Sequence, residues 1–150
     1  MELALTDTRI EKFARILVDY STRVQPGDLV AITSTFAAEP LVQSLYALVL
    51  DRGAYPHVLL DFSDQNEFLF AHANNDQLEF VPRFHKMAFE EFDVLIKVRA
   101  DTNTRAQTGV DSARQAHRQH GIAPLIQAQM QRGAQAQHRR QRTLGWPAAG

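Results

Sequence analysis

Asp28-Leu29-Val30-Ala31-Ile32-Thr33 and, further on, His57-Val58-Leu59-Leu60-Asp61-Phe62 read as two strands of one sheet. Each is short, largely apolar and bounded by turn residues, the pattern of a strand buried on both faces. Between them, Glu39-Pro40 opens a helix, with proline in the first turn, where a missing amide costs nothing. Leu41, Leu45, Leu48 and Val49 share a face of that helix, and Arg52-Gly53 stops it. Strand, helix and strand in this order make a βαβ unit, so the two strands should run parallel with a right-handed crossover.

Upstream, Ile10, Phe13, Ala14, Leu17 and Val18 recur at helical spacing and predict an amphipathic helix near 8–23. Thr8 and Glu11 have capping-box spacing, and Pro26-Gly27 turns the chain into the first strand. Downstream, Asp64 opens a segment carrying Phe68, Leu69 and Phe70, which Asn74-Asn75-Asp76 interrupts. Leu78, Phe80 and Val81 follow, and Pro82 starts a helix carrying Phe84, Met87, Ala88 and Phe92. Asp93-Val94-Leu95-Ile96-Lys97-Val98 is a third strand. The expected core is a parallel sheet of 28–33, 57–62 and 93–98, with helices near 8–23 and 40–52. That is an α/β fold, an open and mainly parallel sheet flanked by helices.

Beyond a polar linker at 100–105, Asp111 or Ser112 caps a helix running to Met130, which Pro124 should kink or split. From Gly133 the apolar period dissolves. Residues 134–150 hold only Leu144 and Trp146 as large apolar side chains, too few to offset the entropy of ordering the segment. A helical and then disordered C-terminal end is expected.

A chain of 150 residues, 45% hydrophobic and 22% charged, suits one globular domain. With no cysteine it has no disulfide scaffold, thiolate metal site or cysteine nucleophile. No apolar run approaches the ~20 residues that cross a bilayer, so no membrane partner is expected. The N-terminus lacks a basic region followed by an apolar core, and a cytoplasmic location is expected. The net charge of −1 hides an asymmetry. All 17 acidic residues lie within 1–111, while 112–150 holds 6 of the 16 basic residues, all arginine. Arg139, Arg140 and Arg142 can neutralise phosphate, but Trp146 stands alone without aromatic interleaving, and no nucleic-acid partner is expected.

Few residues suggest chemistry. Thr33-Ser34-Thr35-Phe36-Ala37-Ala38 lies at a strand's C-terminal end, where hydroxyls and free helix amides can hold an anion. The plainer reading is that Ser34 or Thr35 caps the following helix. His117 and His120 sit three apart, but no carboxylate follows Asp111 to complete a metal site. His57, His72 and His85 lie among apolar neighbours and read as packed or solvated. Asp61, Asp64 and Glu67 read as capping and solvation near a strand end. Neither a glycine-rich phosphate loop nor a G-x-S-x-G elbow is present. Spacing alone assigns no catalytic, metal-binding or cofactor-binding residue.

Several segments carry a resemblance. Leu17-Val18-Asp19-Tyr20-Ser21, Val24-Gln25-Pro26-Gly27-Asp28-Leu29-Val30, Glu39-Pro40-Leu41-Val42 and Arg52-Gly53-Ala54-Tyr55-Pro56 come in that order. Together they resemble the N-terminal domain of the thermophilic metalloaminopeptidases, of the aminopeptidase T and aminopeptidase II type. Leu78-Glu79-Phe80, Asn103-Thr104-Arg105 and Gly109-Val110-Asp111 resemble later landmarks of that domain, and the likeness runs from about residue 5 to about 132.

The resemblance implies a cytoplasmic, homodimeric hydrolase that removes N-terminal amino acids from peptides with two divalent metal ions, zinc or cobalt. Their ligands are Glu, His, Tyr and Asp side chains of a second, C-terminal domain, so no metal or catalytic residue carries over to this chain. The expectation is therefore an N-terminal α/β domain at 1–132, inactive alone. Residues 133–150 are expected to be an irregular tail, whose arginine, alanine, glycine and proline without acids suit a GC-rich gene read out of frame. The alternative is a free-standing α/β small-ligand-binding domain using the 33–38 loop.

Overall fold

The computed structural model describes residues 7–100 and 109–143, the stretch 133–143 as backbone only. In chain order the elements begin with α1 (Thr8–Arg15), which runs into a π-helical segment (Ile16–Ser21), and β1 (Leu29–Thr35). A 3-10 turn (Phe36–Ala38) leads to α2 (Glu39–Asp51) and β2 (Tyr55–Asp61). Then come α3 (Gln65–His72), α4 (Asn75–Glu79), α5 (Arg83–Glu91), β3 (Val94–Lys97) and α6 (Ser112–Thr143).

The three strands form one parallel sheet in the order β2-β1-β3, as the βαβ reading requires. Val30 stands opposite both Pro56 and Val94, so β1 is central. Its Val30 and Ile32 pack on Ala14 of α1, Val18 of the π-helical segment, and Val42, Leu45 and Val49 of α2. Strand alternation turns Ala31 and Thr33 to the opposite face. In β3, Val94 and Ile96 join the core, which leaves Leu95 and Lys97 on that second face. In β2, Leu60 packs against the core, which sets His57, Leu59 and Asp61 on the second face.

Burial differs from the expectation for 57–62. β2 is an edge strand, no residue of it is fully buried, and Leu59 is partly exposed. An apolar run reports that a strand has apolar neighbours, not that both faces are closed. Capping also differs: Asp7, not Thr8, caps α1, its carboxylate accepting from the Arg9 amide at 2.9 Å.

Two left-handed glycines set the strand entries. Gly27 has φ 84° and Gly53 φ 72°, and the Gly27 amide donates to the Gly53 carbonyl at 2.9 Å. Side chains are strained at such angles. Arg52 then donates twice to Asp19, at 2.8 and 2.9 Å, tying the end of α2 to the π-helical segment.

The second half, α3 to α6, is built differently. Helix α6 lies across α4 and α5. Gly121 meets the end of α4 so closely that a Cβ there would fall 2.2 Å from the Glu79 carbonyl oxygen. Three arginines of α6 close the C-terminal ends of three helices. Arg114 donates to the Phe70 and Ala73 carbonyls at 2.7 and 2.6 Å. Arg118 donates to those of Leu78 and Phe80 at 3.2 and 3.1 Å, and Arg132 to those of Glu91 and Phe92 at 3.0 and 3.1 Å. The last carbonyls of a helix lack internal partners, and a cation is favoured there by the helix dipole. Half of the arginines in the basic end therefore have a structural use.

Helix α6 is not split at Pro124 and runs past Gly133 to Thr143. Alanine, glutamine and arginine are strong helix formers, so helix outlasts the apolar period. Residues 101–108 and 144–150, including Asn103-Thr104-Arg105 and Trp146, lie outside the described residues. Among the described residues, no helix is long and apolar enough to cross a membrane.

Candidate functional site

The alternation of β2 and β3 places Asp61, Lys97 and Arg99 together at the carboxyl ends of the strands. Helices α3, α5 and α6 stand over that end of the sheet. Between them lies a groove of about 720 Å³, walled by Phe68, Phe80, Phe89, Leu125 and Ile126. Its size is that of small-molecule sites, and its position is where open parallel sheets bind ligands.

The polar lining is unequal. Lys97 and Arg99 are exposed and make no hydrogen bond or ion pair with another described residue. Asp61, the acidic residue of the lining, accepts from Gln65 Nε2 at 3.2 Å. Arg118 is already occupied by the Leu78 and Phe80 carbonyls, and burial pushes its pKa down from the ordinary arginine value. His85 Nδ1 is shut off from solvent with no hydrogen-bond partner among the described residues. His72 stacks on Phe68, ring centres 6.2 Å apart.

The structure redistributes the residues that the sequence suggested. Asp61, His72 and His85 come together in the groove, although they are scattered along the chain. His57 does not join them; its ring meets Phe92 edge-on at 4.7 Å. Asp64 sits at the start of α3 with φ 61° and its side chain makes no capping bond, and Glu67 Oε1 is buried without a hydrogen-bond partner among the described residues. The 33–38 loop does not line the groove. The Ser34 hydroxyl donates to the Thr35 carbonyl and the Thr35 hydroxyl to the Ala100 carbonyl, both at 3.3 Å. Neither hydroxyl caps α2, whose N-cap position is Ala38. Lys97 and Arg99 were missed, though alternate cations leaving a strand are a legible signal.

His117 and His120 do find a carboxylate, but from another helix. His117 Nδ1 lies 2.5 Å from Glu79 Oε1, and His120 Nδ1 lies 3.6 Å from Glu79 Oε2. The hydrogen bond with His117 holds the Glu79 carboxyl below its usual range. Glu79 is thus occupied as a hydrogen-bond partner, and His120 is largely exposed. Among the described residues, no group of three or more His, Asp or Glu side chains is arranged to hold a metal ion. These residues do not fit a two-metal centre, and no metal-assisted step is derived from them.

The family model for thermophilic metalloproteases (M29) matches residues 6–144, across Gly133. No curated protein matches the chain significantly. Among solved structures, the fold is similar to wild-type AmpT from Thermus thermophilus, with TM-score 0.64 and 18% identity. The match covers 83% of this chain and 32% of that one, so this chain spans about a third of that protein's length.

Proposed function

The chain belongs to the thermophilic metalloprotease family M29, and from that premise we propose that it forms the supporting N-terminal part of a metal-dependent aminopeptidase acting on peptides. The observation that carries this is the family match over residues 6–144. The shared fold with AmpT supports it at the level of architecture. On this reading two divalent ions, zinc or cobalt, are held by residues other than those described. A homodimeric state, a cytoplasmic location and the absence of a nucleic-acid partner belong to the same proposal. The supporting domain comprises residues 1–132. Helix α6 and the family match both continue beyond residue 132.

The test has two arms. Pure 150-residue protein, assayed for release of leucine from a peptide with added zinc or cobalt, should show no activity above a mock preparation. Saturable, metal-dependent release by the chain itself would refute a purely supporting role. In the second arm, the matching segment of Thermus thermophilus AmpT is replaced by this chain. A folded chimera that keeps peptidase activity is expected, and one that folds without activity would count against the proposal.

A further inference from the structure

We propose that the groove at the carboxyl ends of β2 and β3 binds small carboxylates with an apolar body, the carboxylate resting on Lys97 and Arg99. A free apolar amino acid and the C-terminus of a short peptide share this chemistry. The inference stands on the groove alone and does not depend on the family's reaction.

Two independent observations converge there. The first is charge. Lys97 and Arg99 leave β3 two residues apart on the groove face, both exposed and neither paired with a described residue. Asp61 is bonded to Gln65, and Arg118 is occupied by carbonyls. With Asp61 as the one carboxylate of the lining against Lys97, Arg99 and Arg118, its net charge is positive. A guanidinium matches a carboxylate through two parallel hydrogen bonds, and an ammonium adds a point charge.

The second observation is the wall. Phe68 and Phe80 are 56% and 58% exposed, beside Phe89 and the buried Leu125. Exposed aromatic surface gathered in one concavity marks a binding site more often than a solvated face. A compact inorganic anion would leave these rings wet, so the complementary ligand carries an apolar body as well as a negative charge. The volume of about 720 Å³ accommodates a dipeptide-sized molecule.

The experiment uses the full 150-residue chain at low ionic strength, titrated by calorimetry with N-acetyl-leucyl-phenylalanine, its C-terminal amide, acetate and free phenylalanine. The acid should bind saturably. The amide, which lacks the charge, and acetate, which lacks the body, should each bind at least about tenfold more weakly. Added salt should weaken binding of the acid. The double substitution Lys97→Gln with Arg99→Gln should lower affinity for the acid at least about tenfold. It should leave circular dichroism and melting temperature unchanged, since both side chains are exposed. Free phenylalanine binding as tightly as the acid assigns the site to free amino acids, and weaker binding assigns it to peptide termini; either result upholds the shared chemistry. Equal affinity for acid and amide, or an unchanged affinity in the double variant, overturns the proposal. So does the absence of saturable binding by every probe, which would leave the groove a packing surface for other protein.

Discussion

The two halves of the molecule are held together by different physics. The sheet with α1 and α2 surrounds a continuous aliphatic core in which Ile32, Leu45, Val18, Val30 and Val49 are fully buried. Among the residues whose side chains are described, the helices α3 to α6 bury only Leu78, Ala88 and Leu125. They depend instead on arginine donors to carbonyls and on one close backbone contact at Gly121. Non-directional burial tolerates small shifts, whereas hydrogen bonds and a glycine contact do not. The first half should therefore behave as a globally cooperative unit, and the second should open piecemeal.

The strongest blow to that contrast is struck in the core. Ile32→Ala should cost about 2–5 kcal/mol in denaturant unfolding, a large share of the total stability of a small domain. A smaller loss would mean that the sheet core is not the cooperative unit. In the helical half, Gly121→Ala would normally favour helix by about 1 kcal/mol. Here the Cβ meets the Glu79 backbone, so a net loss of about 1–3 kcal/mol is expected instead. Hydrogen exchange should locate that loss in α4 and α6 while β1 amides stay protected. Arg118→Met removes both hydrogen bonds that its Nη1 donates to the end of α4 and should cost about 1–2 kcal/mol, confined to the same helices. If it lowered protection in β1 equally, the two halves would be one unit.

Two weaker tests sharpen the picture at its margins. Leu59→Ala, on the edge strand, should cost about 1 kcal/mol, because its side chain is only partly removed from water. Asp19 and Glu79 are held below their ordinary values of 3.8 and 4.5 by hydrogen bonds from Arg52 and His117. A lowered carboxylate adds stability that is present above its ordinary pKa and lost as pH falls through the folded value. Melting temperature should therefore decline below about pH 4.5. Asp19→Asn should reduce the part of that decline in the sheet half, and Glu79→Gln the part in the helical half.

The same contrast explains what could be read from the chain. Val30, Ile32, Leu45 and Val49 announce themselves by pattern, and the parallel sheet followed from them. Period says nothing about which strand ends at an edge, so the openness of β2 was not visible. The arginine clasps have no period at all. Arg114, Arg118 and Arg132 look like a charge excess until the carbonyls of residues 40 or so positions earlier are brought to them. For the same reason the groove could not be assembled from sequence. Asp61, His85, Lys97 and Leu125 meet only because α6 returns over the sheet.

That return has a consequence for how the chain is made. The sheet is complete once Lys97 has left the ribosome, but the clasp on α5 waits for Arg132. The 35 residues from 98 to 132 take about 2–7 s to synthesise at about 5–20 residues per second. Until its own arginine emerges, Arg114 for α3, Arg118 for α4 and Arg132 for α5, the carbonyl end of each helix has only water to bond. Phe68, Phe80 and Phe84, still exposed in the finished fold, then stand on a nascent chain that chaperones can engage.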